Sequence, residues 1–353
     1  MKVIHMPTST GGNSWRLAQG EKQLGLDSRV YYGYGAINWL QYSYDDACVA
    51  SNKLKALFEL YKEVNTISKE YDVVHMNFGQ SLIDFPGKGI NYWDLKRYKN
   101  QKLFMTYNGC DARQKYVRIK QADICACKYD DCYNGCCNNA KVEKHKKERI
   151  EMLDAMGVRM FAVNPDLLNF LPEGSLFLPY AIDVGAFKER AKYEVAKKIK
   201  VVHAPTQRAC KGTEAVIKTI NKINVEYKGI IDFQMIEKVP NSKALEIYRE
   251  ADLVIDQLRI GWYGGLATET MCMGIPTIAY INEEDLKFIP KEMAKDCLDS
   301  IINANEFTLY DVLENIINNP SILVQKREAG MEYINKWHNA VNVAKITKAA
   351  YES

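Results

Sequence analysis

From Leu253 to Ile281 the chain reads LVIDQLRIGWYGGLATETMCMGIPTIAYI: an apolar strand ending at Asp256, a glycine-bearing loop, and a short helix carrying Glu269. Gly264 and Gly265 have no side chain to keep the backbone away from a ligand, so N–H groups at the helix start can face a phosphate. Glu269 follows about one helical turn later, within reach of a sugar hydroxyl beside that phosphate. Gly274 and then Pro276 stop the helix, and Thr277 to Ile281 reads as the next buried strand. A phosphate leaving a sugar carries charge that, without a metal, must meet cations and backbone dipoles. Arg208 and Lys211 in His203–Gly212 (HAPTQRACKG), at the end of another apolar strand, are the candidates.

The first segment resembles the nucleotide-sugar site of retaining glycosyltransferases with the GT-B fold, whose sequence runs roughly Gly-Leu-x-x-x-Glu-Ala-Met-Ala-x-Gly-x-Pro-Val. Gly265, Leu266, Glu269, Met271, Gly274 and Pro276 match it. The resemblance implies a donor site of Gly11, Gly12, Arg208, Lys211, Gly264, Gly265, Leu266 and Glu269, with Glu269 on the ribose hydroxyls. Gly11 and Gly12 enter because they follow the first strand, where the family has a glycine loop admitting phosphate and sugar. Tyr107–Arg113 (YNGCDAR) is similar to the family's His-Gly-x-Asp segment, with Asn108 in place of His and Gly109 and Asp111 matching. Asn108, Asp111, Lys211 and Glu269 are thus the expected catalytic set.

The chain departs from the family in two further places. Thr206 stands where the family commonly has an Arg five residues before Lys-Gly, while Arg208 lies three before Lys211. Gly261 occupies the position of the first acid of the Glu-x7-Glu pair, a role that Asp256 is the nearest acid to take over. Asn108 donates to a hydroxyl but does not titrate, so retention is expected by a front-face route in which the leaving phosphate helps take the acceptor proton. The resemblance implies UDP or GDP as the donor nucleotide, no catalytic metal, and a glycan, glycolipid or lipid-linked acceptor. The alternatives are a sugar-binding or scaffolding protein without transfer, and an epimerase or phosphorylase on the same fold.

Six of the ten cysteines fall between 110 and 137, the dense part being Cys125, Cys127, Cys132, Cys136 and Cys137. In a chain expected to stay in a reducing compartment, such a cluster suggests a metal before it suggests disulfides. A structural zinc held by four of these thiols, with His145 as a further ligand, is the expectation; an iron–sulfur cluster and plain packing are the alternatives.

At 353 residues the chain exceeds one hydrophobic core, so two domains are expected. Hydrophobic residues at 47% and charged residues at 26% fit a globular protein. A net charge of +3 with scattered Lys and Arg argues against a nucleic-acid partner. No apolar run reaches the ~20 residues of a membrane span, and Met1–Met6 lacks the pattern of a signal peptide. A cytoplasmic protein is expected, with peripheral attachment to the inner membrane face as an option. The basic run Lys141–Arg149 reads as a solvated helix face, and the aromatic run Tyr31–Tyr44 as packing or sugar contact.

These groups must be positioned by alternating strands and helices. Short apolar strands at Val3–His5, Arg29–Tyr32, Val73–Met76, Lys102–Met105 and Arg159–Val163, separated by helical spacing such as Leu54, Leu57, Leu60 and Tyr61, predict a parallel sheet covered by helices. Asn164 and Pro165 read as a helix start. A second such unit begins at Ile199–His203, with Thr213 as the cap of a helix presenting Val216, Ile217, Ile220 and Ile223. The resulting class is α/β with GT-B architecture: two Rossmann-like domains facing a cleft. The boundaries are 1–187 for an acceptor domain with a cysteine-rich insertion at about 110–150, 188–334 for the nucleotide-sugar domain, and 335–353 for a helix crossing back. Lys188–Lys198 is the expected linker.

Overall fold

The computed structural model describes residues 1–35, 42–190 and 198–353. The centre of the aromatic run and most of the expected linker lie outside the described residues. The chain divides into two compact units, one of Met1–Gln114, Lys144–Asp183 and Asn339–Ser353, the other of Lys115–Glu143 and Val184–His338.

In chain order the first unit contributes β1 (Lys2–Met6), α1 (Asn13–Gln23), β2 (Asp27–Tyr32), β3 (Asp46–Ala47), α2 (Lys53–Glu70), β4 (Val73–Asn77) and β5 (Lys102–Tyr107). After α3 (Lys115–Gln121), which groups with the second unit, and α4 (Ala140–Ala155) come β6 (Arg159–Ala162) and β7 (Leu176–Phe177). The strands form one parallel sheet in the order β3-β2-β1-β4-β5-β6-β7. Val3, Val73, Phe104 and Phe161 pack on one face, and Ile4, Val74, Met105 and Met160 on the other, the alternation expected of strands covered on both sides. The helix expected after Asn164 is a single 3-10 turn, Pro165–Asn169.

The second unit contributes β8 (Ile199–His203), α5 (Arg208–Lys211), α6 (Thr213–Glu226), β9 (Ile231–Met235), α7 (Asn241–Tyr248), β10 (Leu253–Ile255), α8 (Gly265–Cys272), β11 (Thr277–Ala279), α9 (Lys291–Ser300), β12 (Ile302–Asn303), α10 (Leu309–Asn318) and α11 (Ser321–Tyr333). Its parallel sheet runs β12-β11-β10-β8-β9. Val216, Ile220 and Ile223 of α6 are buried as their spacing requires, in a cluster with Val201 and Leu253. Thr213 caps nothing: Gly212 is the N-cap, and the Thr213 hydroxyl instead meets buried His203 Nε2 at 2.9 Å.

The last helix, α12 (Ala340–Glu352), belongs to the first unit and is separated from α11 by a π-helical turn at Ile334–His338. It lies against α1, where a side chain on Gly20 would stand 2.2 Å from the Ala340 carbonyl oxygen. A fully buried carboxylate ties it down. Glu21 Oε1 accepts from Thr347 Oγ1 (2.8 Å) and Tyr351 Oη (2.9 Å), while Oε2 meets His5 Nε2 (2.8 Å) and Ser28 Oγ (2.6 Å). Burial alone would raise the Glu21 carboxyl, but His5 and Ser28 outweigh it and hold it at about 2. His75 adds bonds to Tyr351 (2.5 Å) and Thr106 (2.6 Å), and burial with help from His5 lowers it to about 3.

The cysteine-rich stretch was expected as an insertion of the first domain; its Lys115–Glu143 portion groups with the second unit instead. Long-range polar contacts account for this. Ala126 N donates to Arg259 O (2.7 Å), and Arg118, only 1% exposed, makes a two-pronged pair with Asp285 at 3.2 and 2.6 Å. A buried guanidinium is stable only with its carboxylate, so Asp285 decides where this stretch rests.

Candidate functional site

Strand order locates the crevice in each unit. In an open parallel sheet ligands bind beyond the carboxyl ends of the strands where the connections change direction. In the second unit that point lies between β8 and β10. The short helix α5 after β8 carries Arg208 and Lys211, and the loop after β10 carries Asp256, Gln257 and Gly261–Gly264.

The two segments are joined by a buried ion pair. Lys211 Nζ donates to Asp256 Oδ1 (2.5 Å) and Gln257 Oε1 (2.7 Å), and Asp256 Oδ2 accepts from Gly264 N (2.7 Å). Gln257 Nε2 in turn donates to the Trp262 carbonyl, and Leu258 N to the Lys211 carbonyl at 3.1 Å. Beneath them, His203 Nδ1 donates to the Ile255 carbonyl at 2.7 Å; burial lowers this imidazole to about 4, so it is neutral at pH 7. The arrangement is a rigid floor of paired charges at the mouth of the sheet.

Gly264 is the N-cap of α8, and the first helical bond runs from Thr268 N to Gly264 O. The Gly264 N–H, expected to face phosphate, is taken by Asp256. The N–H groups of Gly265, Leu266 and Ala267 precede that first bond and form the donor end of the helix. Glu269 is 4% exposed, one turn further along, and Oε2 accepts from Asn241 Nδ2 on α7 at 3.2 Å. The helix ends as its sequence requires. Gly274 (φ +72°) allows Ile275 N to reach Thr270 O and Gly274 N to reach Met271 O. Lys211, Gly264, Gly265, Leu266 and Glu269 are therefore brought to one end of one sheet, with Asp256 at their centre.

Arg208 stands apart from that group. It is spent on surface pairs with Glu214 (2.7 Å) and Glu237 (3.2 Å), with its side chain 41% exposed. At Gly261, where the family has its first acid, φ is +89° and an added Cβ would lie 3.2 Å from Arg118 Nη2 and 3.1 Å from Asn282 Cβ. A glutamate there would need a strained backbone and the space held by the Arg118–Asp285 pair.

In the first unit the switch point lies between β1 and β4. Gly11 (φ +60°) and Gly12 (φ +73°) form the turn between β1 and α1, and a Cβ on Gly12 would press on the Tyr42 ring at 2.7 Å. Along the strand ends runs a row of amides that joins the expected Asn108 to Asn77 and Asn164, neither of which sequence reasoning placed at a site. Asn108 Nδ2 donates to Asn77 Oδ1, Asn77 Nδ2 to Ser14 Oγ, and Asn164 Nδ2 to the Asn108 carbonyl at 3.2 Å. A short polar residue ending β4, Asn77, and one just beyond β6, Asn164, were the available signal. Asn108 Oδ1 is buried without a hydrogen-bond partner among the described residues. Asp111 accepts from Asn108 N (2.9 Å) and Gly109 N (2.6 Å), so it shapes the loop presenting Asn108; burial raises its carboxyl against the pull of those two N–H groups.

The expected zinc site is not supported. Among the described residues no group of three or more His, Cys, Asp or Glu side chains is arranged to hold a metal. Cys125 is buried, Cys127, Cys132 and Cys137 are half-buried, and Cys136 is exposed. The stretch is organised instead around Lys115, whose Nζ donates to Asp130 Oδ1 (3.0 Å) and to Asn138 Oδ1. A hydrogen bond from Cys127 is the main reason the Cys125 thiol is lowered to about 6.

No protein-family model matches the sequence, and no curated protein matches it. Solved structures do resemble it. Sucrose-phosphate synthase from Thermosynechococcus elongatus aligns over 100% of this chain and 98% of its own at 14% identity and TM-score 0.61. A glycosyltransferase from Rickettsia africae aligns over 99% and 97% at 12% identity and TM-score 0.61. An alpha-glucosyltransferase in complex with UDP and a 13-mer DNA aligns over 100% and 99% at 10% identity and TM-score 0.58. With both parallel sheets and the returning α12, these full-length likenesses establish the fold as GT-B, two Rossmann-like α/β domains.

Proposed function

We propose that this chain is a glycosyltransferase that moves a sugar from a nucleotide-diphosphate sugar to a glycan or lipid-linked acceptor with retention at the anomeric carbon. The observation that carries the reading is the convergence of Lys211, Asp256, the start of α8 and Glu269 at the β8–β10 switch point. In this reading the diphosphate lies on the N–H groups of Gly265, Leu266 and Ala267. Lys211, held by Asp256 and Gln257 with its third proton directed to the phosphate, offsets the charge that grows as the sugar departs. Glu269 accepts from the ribose hydroxyls. Gly11 and Gly12 leave room for the sugar, Asn108 contacts its hydroxyls, and Asp111 positions Asn108. Arg208 joins the donor only by exchanging a carboxylate partner for phosphate. No step here calls for a catalytic metal.

UDP is the first nucleotide to test, because the alpha-glucosyltransferase of similar fold is in complex with UDP. Incubation with UDP-, GDP- and ADP-sugars, read as donor hydrolysis and as transfer into acceptor extracts, tests the proposal. Hydrolysis of one donor, lost in Lys211→Met and Glu269→Gln, supports it. Nucleotide binding without hydrolysis or transfer favours the second reading, a GT-B protein that binds a sugar nucleotide without chemistry. Gly261 and Asn108, where the family has acids and a histidine, are what favour that reading.

A further inference from the structure

The exposed face of α2 is the largest run of unburied apolar side chains on one element among the described residues. Leu54 is 83% exposed, Phe58 72%, Leu57 47% and Tyr61 41%. Their spacing of three and four residues places all four on one stripe. A second stripe, Ala56, Leu60, Val64 and Ile67, roughly a third of the way round the helix, is buried in the first unit. The helix is therefore apolar on two faces, and only one of them serves the fold.

The outer stripe has neighbours of consistent character. Trp93 lies with its ring 6.2 Å from that of Tyr61 and is 39% exposed, and the Arg97 guanidinium sits 5.8 Å over the Tyr61 ring while donating to Asn65 at 2.8 Å. Lys53 flanks the stripe on one side, Lys55 and Lys62 on the other, all exposed. At 100° per residue the acids of the helix, Glu59, Glu63 and Glu70, fall on the far side of the cylinder from Leu54 and Tyr61. Apolar and aromatic side chains thus point outward inside a rim of cations from which carboxylates are turned away. That combination fits an interface where hydrocarbon meets negative headgroups; an acidic protein would not call for a bare Leu54 and Phe58 at the centre.

We propose that the outer face of α2, with Trp93 and Arg97, docks this protein on an anionic lipid surface, with Leu54, Leu57 and Phe58 entering the acyl boundary and the lysines meeting headgroup phosphates. Transfer to a lipid-linked acceptor is one use of such docking, but the docking itself does not depend on the donor site.

The test is co-sedimentation of the full chain with phosphatidylcholine vesicles and with vesicles of phosphatidylcholine and phosphatidylglycerol, at low and high salt. Binding to the anionic vesicles that weakens with salt is expected. The pair Leu54→Ser with Phe58→Ser should weaken it at least about tenfold. Loss of each cation, as in Lys55→Gln and Lys62→Gln, should cost about fivefold. All four positions are exposed, so an unchanged thermal unfolding midpoint in the same variants, measured without ligand, serves as the control that the fold is intact. Equal binding to both vesicle types, no binding to either, or a concentration-dependent dimer that Leu54→Ser with Phe58→Ser abolishes would overturn the proposal, the last by naming a second copy of the chain as the true occupant.

Discussion

Replacing Gly265 by alanine separates ligand binding from folding at the proposed diphosphate site. Gly265 opens α8, its φ is outside the left-handed region, and a Cβ built there meets no atom within 4 Å. The substitution should therefore leave the free protein intact or stabilise it by roughly 0.4–1 kcal/mol, because alanine has less unfolded-state entropy to lose. If the Gly265 N–H faces phosphate, the methyl group projects toward the ligand, and an affinity loss of about tenfold, or ~1.4 kcal/mol, is expected. Urea denaturation with UDP at 100 times the parent's dissociation constant gives a direct reading. The parent should gain about 2.7 kcal/mol and the variant, then at 10 times its own constant, about 1.4 kcal/mol. Gly264→Ala is the contrast. Its Cβ would lie 3.3 Å from Asp256 Oδ2 and 3.5 Å from Lys211 Nζ, so it should lower stability without any ligand. Equal UDP stabilisation in parent and Gly265→Ala would refute the placement of phosphate at the start of α8.

Acid should weaken both units before pH 4. His75, lowered to about 3, and His203, lowered to about 4, stay neutral when folded but take protons near 6.5 once unfolded, so stability falls as pH drops below 6.5. At pH 5 each should have lost about 2 kcal/mol relative to pH 8, measurable as a falling urea midpoint. Glu21 adds a loss below 4.5, continuing to its folded value of about 2. A midpoint flat from pH 8 to 5 would contradict the buried, neutral state of both histidines. Asp256→Asn, which leaves the Lys211 ammonium without its anion, should destabilise the protein by roughly 3 kcal/mol in thermal melts and abolish donor hydrolysis. Gly261→Glu should destabilise by more than about 2 kcal/mol and not raise donor hydrolysis above the parent's, because Arg118 and Asn282 hold the space; a variant as stable as the parent would contradict that packing. Elemental analysis of protein purified without chelator should find less than stoichiometric zinc, and a full equivalent would reopen the thiol cluster.

Residues 253–281 were legible because local rules govern them. An apolar strand, two glycines and a helix stopped by Gly274 and Pro276 specify their own geometry, and the structure returns each of them in place. Parallel strands alternating with helices likewise follow from short-range pattern, as does the final helix, expected over 335–353 and found at Ala340–Glu352. Several departures turn on side-chain partners that residue type and spacing do not select. Arg208 is drawn to Glu214 and Glu237, Thr213 to His203, and the Gly264 N–H to Asp256, choices that depend on which side chains the fold brings near.

Composition and periodicity alone thus determined the α/β class, the two repeating units and the position of the glycine loop, since these arise from contacts within a few turns or strands. Tertiary structure decided which charges neutralise one another. The Lys211–Asp256 pair spans 45 residues and the Arg118–Asp285 pair 167, so no local spacing encodes them. It also decided that, among the described residues, the cysteines are not gathered into a metal-holding group. Spacing sets only how close thiols are able to come, whereas the stretch is tied by Lys115 to Asp130 and by Arg118 to Asp285.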